Sequence, residues 1–234
     1  QRGAQAYARG DLPGAQRAYQ DATRLYESVA DTDGRARAQL SLARVMAGAG
    51  DTAGALALID HLLAEPDGLG SALRPLALGR TAGLLLALGR QEEAAGRLAS
   101  AQQACAGACG EAGALDLIGA RLALARGDTA SALARTDACL ARLSSRDALH
   151  AEGQRLRANA LLDLRRSAEG VAAAEAALVL DRAAGRPDAV GADLELLARL
   201  HASLGDAAAA EHFQRLAERA RNAQRGLLGP VRPD

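Results

Sequence analysis

Gly50-Asp51-Thr52-Ala53-Gly54-Ala55 recurs along this chain at a nearly fixed interval. Gly10-Asp11 with Ala15, Gly89-Arg90 with Ala94, Gly127-Asp128 with Ala132 and Gly205-Asp206 with Ala210 repeat it, and Arg165-Arg166 with Gly170 is a degenerate copy. The first residues of the six copies are spaced 40, 39, 38, 38 and 40 residues apart. A period of that length marks an array of supersecondary units, each too small to bury its own apolar face. Glycine followed by aspartate is also a helix stop followed by a helix start. Each copy therefore reads as the turn between two antiparallel helices.

Composition agrees. Hydrophobic residues make up 49% of the chain but aromatic residues only 2%, so Ala and Leu must supply the core. That favours helix over strand. The pattern predicts helix pairs around the six junctions, with turns at Asp31-Thr32-Asp33-Gly34, at 65–70 and at Gly185-Arg186-Pro187-Asp188. The segment from Cys105 to Gly113 reads as the loosest in the middle of the chain. Residues 1–225 are expected to form one helical repeat domain, and 226–234 a C-terminal tail.

Two columns of small residues fix the register. Seven residues before the junctions stand Gly3, Ala43, Ala82, Ala120, Ala158 and Ala198; five after stand Ala15, Ala55, Ala94, Ala132, Gly170 and Ala210. Helices approach at the short end of the usual interaxial range only where the crossing residues are small. A third column, twelve after the junctions, is also mostly small: Ala22, Leu62, Ala101, Cys139, Ala177 and Ala217.

This register resembles the tetratricopeptide repeat (TPR) family over about residues 1–222, in a variant with a longer period. The resemblance implies an all-α, right-handed superhelical solenoid of about six antiparallel helix hairpins. It also implies a non-enzymatic scaffold or adaptor that binds a protein or peptide segment in the groove lined by the first helix of each pair. By offset, Arg37, Arg44, Arg80, Leu117, Ile118, Arg121, Arg155, Leu156, Asn159 and Arg199 are the groove residues. Arg44, Arg121 and Arg199 share one offset, six before their junctions, and Asn159 holds it in the fifth repeat. A guanidinium row recognises carboxylates through paired hydrogen bonds, so an acidic partner is expected. Arg155 and Asn159 resemble part of the family's carboxylate clamp, although Leu196 stands where an amide belongs. The alternative is that these arginines pair with Glu152, Glu195 and their neighbours as a solvated face.

Other chemistry has little support. His61, His150, His201 and His212 are scattered without metal-ligand spacing. Glu92-Glu93 suits a helix first turn. Gly107 and Gly110 lack the lysine and strand of a phosphate loop. No cofactor or metal is expected. The net charge of zero argues against nucleic acid as partner, and no apolar run is long enough to span a bilayer. Cys139 reads as a buried thiol; Cys105 and Cys109 could bridge in a glycine-opened loop or remain two reduced thiols. A disulfide would point to an oxidising compartment, in a bacterial protein the periplasm, with the cytoplasm as the alternative. The chain starts at Gln1 rather than Met, so a signal or lipid anchor upstream is compatible with that reading. Two further readings stay open. One is a regulatory array from a larger cytosolic transcription regulator or kinase; the other is a small-molecule or metal-binding module at Cys105–Gly113.

Overall fold

Each junction closes one helix and opens the next with the same two residues. Gly10, Gly50, Gly89, Gly127 and Gly205 all adopt positive φ, between 73° and 92°. The following backbone N–H reaches back to close the preceding helix: Asp11 N to Ala6 O at 3.0 Å, Asp51 N to Met46 O at 2.9 Å and Asp128 N to Ala123 O at 2.9 Å. This is the left-handed C-cap that glycine accepts without strain. The same aspartates then cap the next helix, Asp11 accepting from Gly14 N and Asp51 from Gly54 N, each at 2.8 Å. Where the second residue is Arg, another device appears. Arg90 and Arg166 each form a two-pronged pair with the glutamate three residues on, Glu93 and Glu169, with all four bonds at 2.7 Å. Arg165 holds the glycine position of the degenerate copy at φ 61°. A side chain in that conformation costs about 1–2 kcal/mol.

The computed structural model describes residues 1–66, 68–105, 109–143 and 148–227. Its described residues form twelve helices: α1 (Arg2–Ala8), α2 (Leu12–Ser28), α3 (Thr32–Gly48), α4 (Thr52–Ala64), α5 (Arg74–Ala87), α6 (Gln91–Cys105), α7 (Ala112–Ala125), α8 (Thr129–Arg142), α9 (Ala148–Asp163), α10 (Ser167–Ala183), α11 (Pro187–Ser203) and α12 (Ala207–Leu227). The chain divides into two compact units, Gln1–Ile118 and Gly119–Asp234. In the first unit each of α1 to α5 packs on the helix that follows it, and in the second each of α8 to α11 does. The fold is therefore all-α and TPR-like.

Three boundaries differ from the sequence reading. Asp31-Thr32-Asp33-Gly34 is the first turn of α3 rather than a turn between helices, because the Asp31 carboxylate accepts from Gly34 N at 2.8 Å and starts the helix there. Pro187 and Asp188 belong to α11, with Pro187 at its first position, where the missing N–H costs nothing. At the end of the chain α12 extends to Leu227, past Gly226; the remainder of the expected tail lies outside the described residues, as do Asp67 and Gly107.

The small columns are the crossings. Ala15, Ala55, Ala94 and Ala132 are fully buried, as are Ala82, Ala120 and Ala158. In the fifth pair a methyl group built on Gly170 would touch Ala158 O at 3.4 Å, the close approach of α9 and α10, and would press on Leu200 Cδ2 of α11 at 2.6 Å. The third column is buried too, at Leu62, Ala101, Cys139, Ala177 and Ala217. In the sixth pair, Ala198 and Ala210 are only half-buried. They line a groove.

Candidate groove and charge clusters

The groove belongs to the second unit and encloses about 590 Å³. Alanines from α11 and α12 line it together with Leu196; its polar lining is Arg155 and Asn159 from α9, Glu195 and Arg199 from α11, and Gln214 and Arg221 from α12. The repeat brings α9 and α11 side by side, so residues at equal offset meet. Arg199 Nη2 donates to Asn159 Oδ1 at 2.7 Å across 40 residues of sequence. Asn159 is oriented from the other side, its Nδ2 donating to Arg155 O at 2.9 Å.

Arg155 is held by a buried carboxylate pair. Its Nε donates to Asp193 Oδ1 at 2.5 Å and its Nη2 to Asp181. Arg186, beside the start of α11, pairs with the other oxygen of Asp181. Both aspartates are 0% exposed. Burial pushes the Asp193 carboxyl up to about 6, with Asp181 adding to the rise and Arg155 opposing it. Its Oδ2 has no hydrogen-bond partner among the described residues. Arg155 thus lines the groove with its charge already matched by two acids.

One other expected groove arginine is matched, as is an arginine the sequence did not single out. Arg121 pairs with Glu152, and Glu195 lies 3.3 Å from Arg221. To that extent the alternative of internal pairing holds. Arg199 differs. It is exposed, and its hydrogen-bond partner among the described residues is the neutral Asn159 amide. Leu156 is half-buried.

The remaining groove candidates lie in the first unit. Arg37 is exposed. Leu117 is 2% exposed and is a core residue, contrary to its expected place on a binding surface. Ile118 is half-buried near Gly79, 3.6 Å from a methyl group built there. Arg44 is exposed with its guanidinium 4.6 Å above the Tyr7 ring, and Arg80 on α5 reaches back to α3, Nη1 donating to Leu40 O at 2.6 Å. Cys105 and Cys109 are joined by a disulfide, with Cα atoms 5.1 Å apart, and Cys139 is fully buried on α8. His201 stacks on Phe213 with ring centroids 5.3 Å apart, and His212 meets the same ring edge-on.

The sequence reading missed Asp181, Asp193 and Arg186. Two signals were there. Asp181 sits in the last turn of α10, where the helix dipole disfavours an acid. Asp193 keeps helical spacing with Leu197 and Leu200 and so falls on the buried stripe of α11.

Comparison with solved structures agrees with the fold. The chain is similar to BtubC (BKLC) from P. vanneervenii, with 18% identity over 97% of this chain and 96% of that one, at a TM-score of 0.68. It is also similar to the nearly identical TPR-like repeats of a Podosopora anserina kinesin light chain, with 22% identity over 85% of this chain and 98% of that one, at a TM-score of 0.56. A Gln-to-Met variant of that repeat protein gives 22% identity over 83% and 96%, at 0.57. No family model matches the chain. No curated protein matches it either. Among the described residues no helix is long and apolar enough to cross a membrane.

Proposed function

We propose that the protein is a non-enzymatic scaffold that holds an acidic protein or peptide segment in the groove of its second unit. A TPR-like fold suggests protein–protein interaction. The observation that carries the finer reading is Arg199: an exposed guanidinium in a groove of about 590 Å³, without a carboxylate partner among the described residues, while the other two arginines of that groove, Arg155 and Arg221, each have one. An incoming carboxylate would gain a charge-assisted pair there and release Asn159 to a backbone group. The alanine-lined walls accept small apolar side chains beside it.

The test is a display library of short random peptides selected on the intact protein. The selected segments should be enriched in Asp and Glu beside apolar anchors. Their affinity should fall as salt rises, since exposed pairs are screened over about 8 Å at physiological ionic strength. Arg199→Ala should weaken them about tenfold. Equal affinity for Arg199→Ala, or selection without acidic enrichment, would remove the groove reading and leave the fold untouched.

The Cys105–Cys109 bond supports an oxidising compartment, and we read the protein as a periplasmic assembly factor or lipoprotein. The closed loop is too short for the bond to add much stability through chain entropy. Its meaning lies in where it persists. Peptide mapping without reductant, on protein taken from its native cells, should find residues 105 and 109 joined; two thiols there would withdraw the argument for the periplasm.

A further inference from the structure

In the first unit two arginines that make no ion pair among the described residues meet the same stretch of α3. Arg80 crosses from α5 to α3 and spends one N–H on the carbonyl of Leu40, at 2.6 Å. Arg44 lies one helical turn beyond Leu40 on the same helix, its guanidinium held 4.6 Å over the Tyr7 ring of α1. Arg80 is half-buried, and burial followed by the charge of Arg44 lowers its proton affinity below the ordinary guanidinium range, against smaller opposing influences from Glu111 and Tyr19. Six acids of the unit are committed elsewhere. Asp11, Asp31 and Asp51 cap helices, Asp60 holds Arg97, Glu65 holds Arg35 and Glu93 holds Arg90. Among the described residues no carboxylate is within pairing distance of Arg44 or Arg80. A desolvated cation facing a neutral carbonyl and a like charge is an unfavourable arrangement by itself. An anion that both arginines reach would reverse its sign.

We infer that Arg44 and Arg80 form a binding site for a doubly charged phosphate group, carried by a phosphorylated side chain or present as the free ion. A carboxylate brings one charge and two acceptor oxygens, which would leave one guanidinium uncompensated. A phosphate monoester brings about −1.5 to −2 charges at neutral pH and three acceptor oxygens, enough for both forks. The Tyr7 ring fixes Arg44, and the Leu40 carbonyl fixes Arg80, so both donors are positioned before the ligand arrives. The site is separate from the groove of the second unit, and either can fail without the other.

Three probes are titrated into the intact protein by calorimetry, at constant ionic strength in chloride: inorganic phosphate, a short blocked phosphoserine peptide, and the same peptide with Glu in place of phosphoserine. Thermal melts are run in parallel. Phosphate should raise the melting temperature of the wild type, as any ligand of the folded state does. Arg44→Gln and Arg80→Met should each weaken binding about tenfold or more. Arg80→Met should melt no lower than wild type in chloride alone, because it removes a desolvated charge. Tighter binding of the phosphopeptide than of the Glu peptide identifies a phosphorylated side chain as the source; binding of inorganic phosphate alone identifies the free ion. The proposal is overturned if neither phosphate probe binds. It is equally overturned if phosphate raises the melting temperature of both variants as much as that of wild type, since phosphate also stabilises folded proteins non-specifically.

Discussion

Replacing Arg155 with Ala should destabilise the second unit by about 3–5 kcal/mol, the usual result of removing one partner from a buried ion cluster. The magnitude follows from what is left behind. Asp181 and Asp193 are both 0% exposed, and without Arg155 only Arg186 faces them among the described residues. The deficit should be pH-dependent, with a definite sign. The folded chain holds the Asp193 proton up to about 6, whereas an unfolded aspartate releases it near about 3.9. Between those values the folded state binds the extra proton, so this group adds stability as pH falls and withdraws it as pH rises through about 6. In Arg155→Ala the neutral carboxylic acid needs no counter-charge, so the deficit should narrow from neutral pH to about pH 5. Asp193→Asn should remove that pH term and leave Arg155 its partner on Asp181. Urea unfolding at several pH values, with amide exchange read in α9, α10 and α11, checks both statements. A loss below about 1 kcal/mol, or one independent of pH, would mean that the cluster is more hydrated than its geometry implies.

The second large effect is steric. Ala158→Leu should cost about 1–3 kcal/mol by overpacking. Ala158 is fully buried, and its carbonyl lies 3.4 Å from a methyl group built on Gly170, where Leu200 already intrudes. The extra carbons have nowhere to go unless α9 and α10 separate. Ala120→Leu should behave alike, Ala120 and Ala132 both being fully buried. The control is Ala198→Leu, at the same offset in the sixth pair. Ala198 is half-buried and faces the groove, so its melting temperature should stay close to that of wild type. If all three substitutions are tolerated equally, the small columns reflect composition rather than packing.

The sequence alone determined the repeat, the helix pairs around its junctions and the crossing columns, because each is set within a turn or two of one helix. Glycine permits the left-handed stop, the following aspartate offers both the closing N–H and the capping carboxylate, and alanine at fixed offsets permits close approach. Asn159 and Arg199, placed at one offset by the sequence, turn out to touch one another. The charges were different. Arg155 finds Asp193 38 residues away and Asp181 26 away, on two different helices, and Arg80 finds a backbone carbonyl 40 residues away. Several acids lie within one repeat of each arginine. Which of them pairs depends on how far each helix is rotated about its axis and how far a flexible side chain reaches, and those are fixed only when neighbouring hairpins pack. So the structure, rather than the period, decided that Arg121 and Arg155 are matched internally while Arg199, Arg44 and Arg80 have no acid within pairing distance among the described residues.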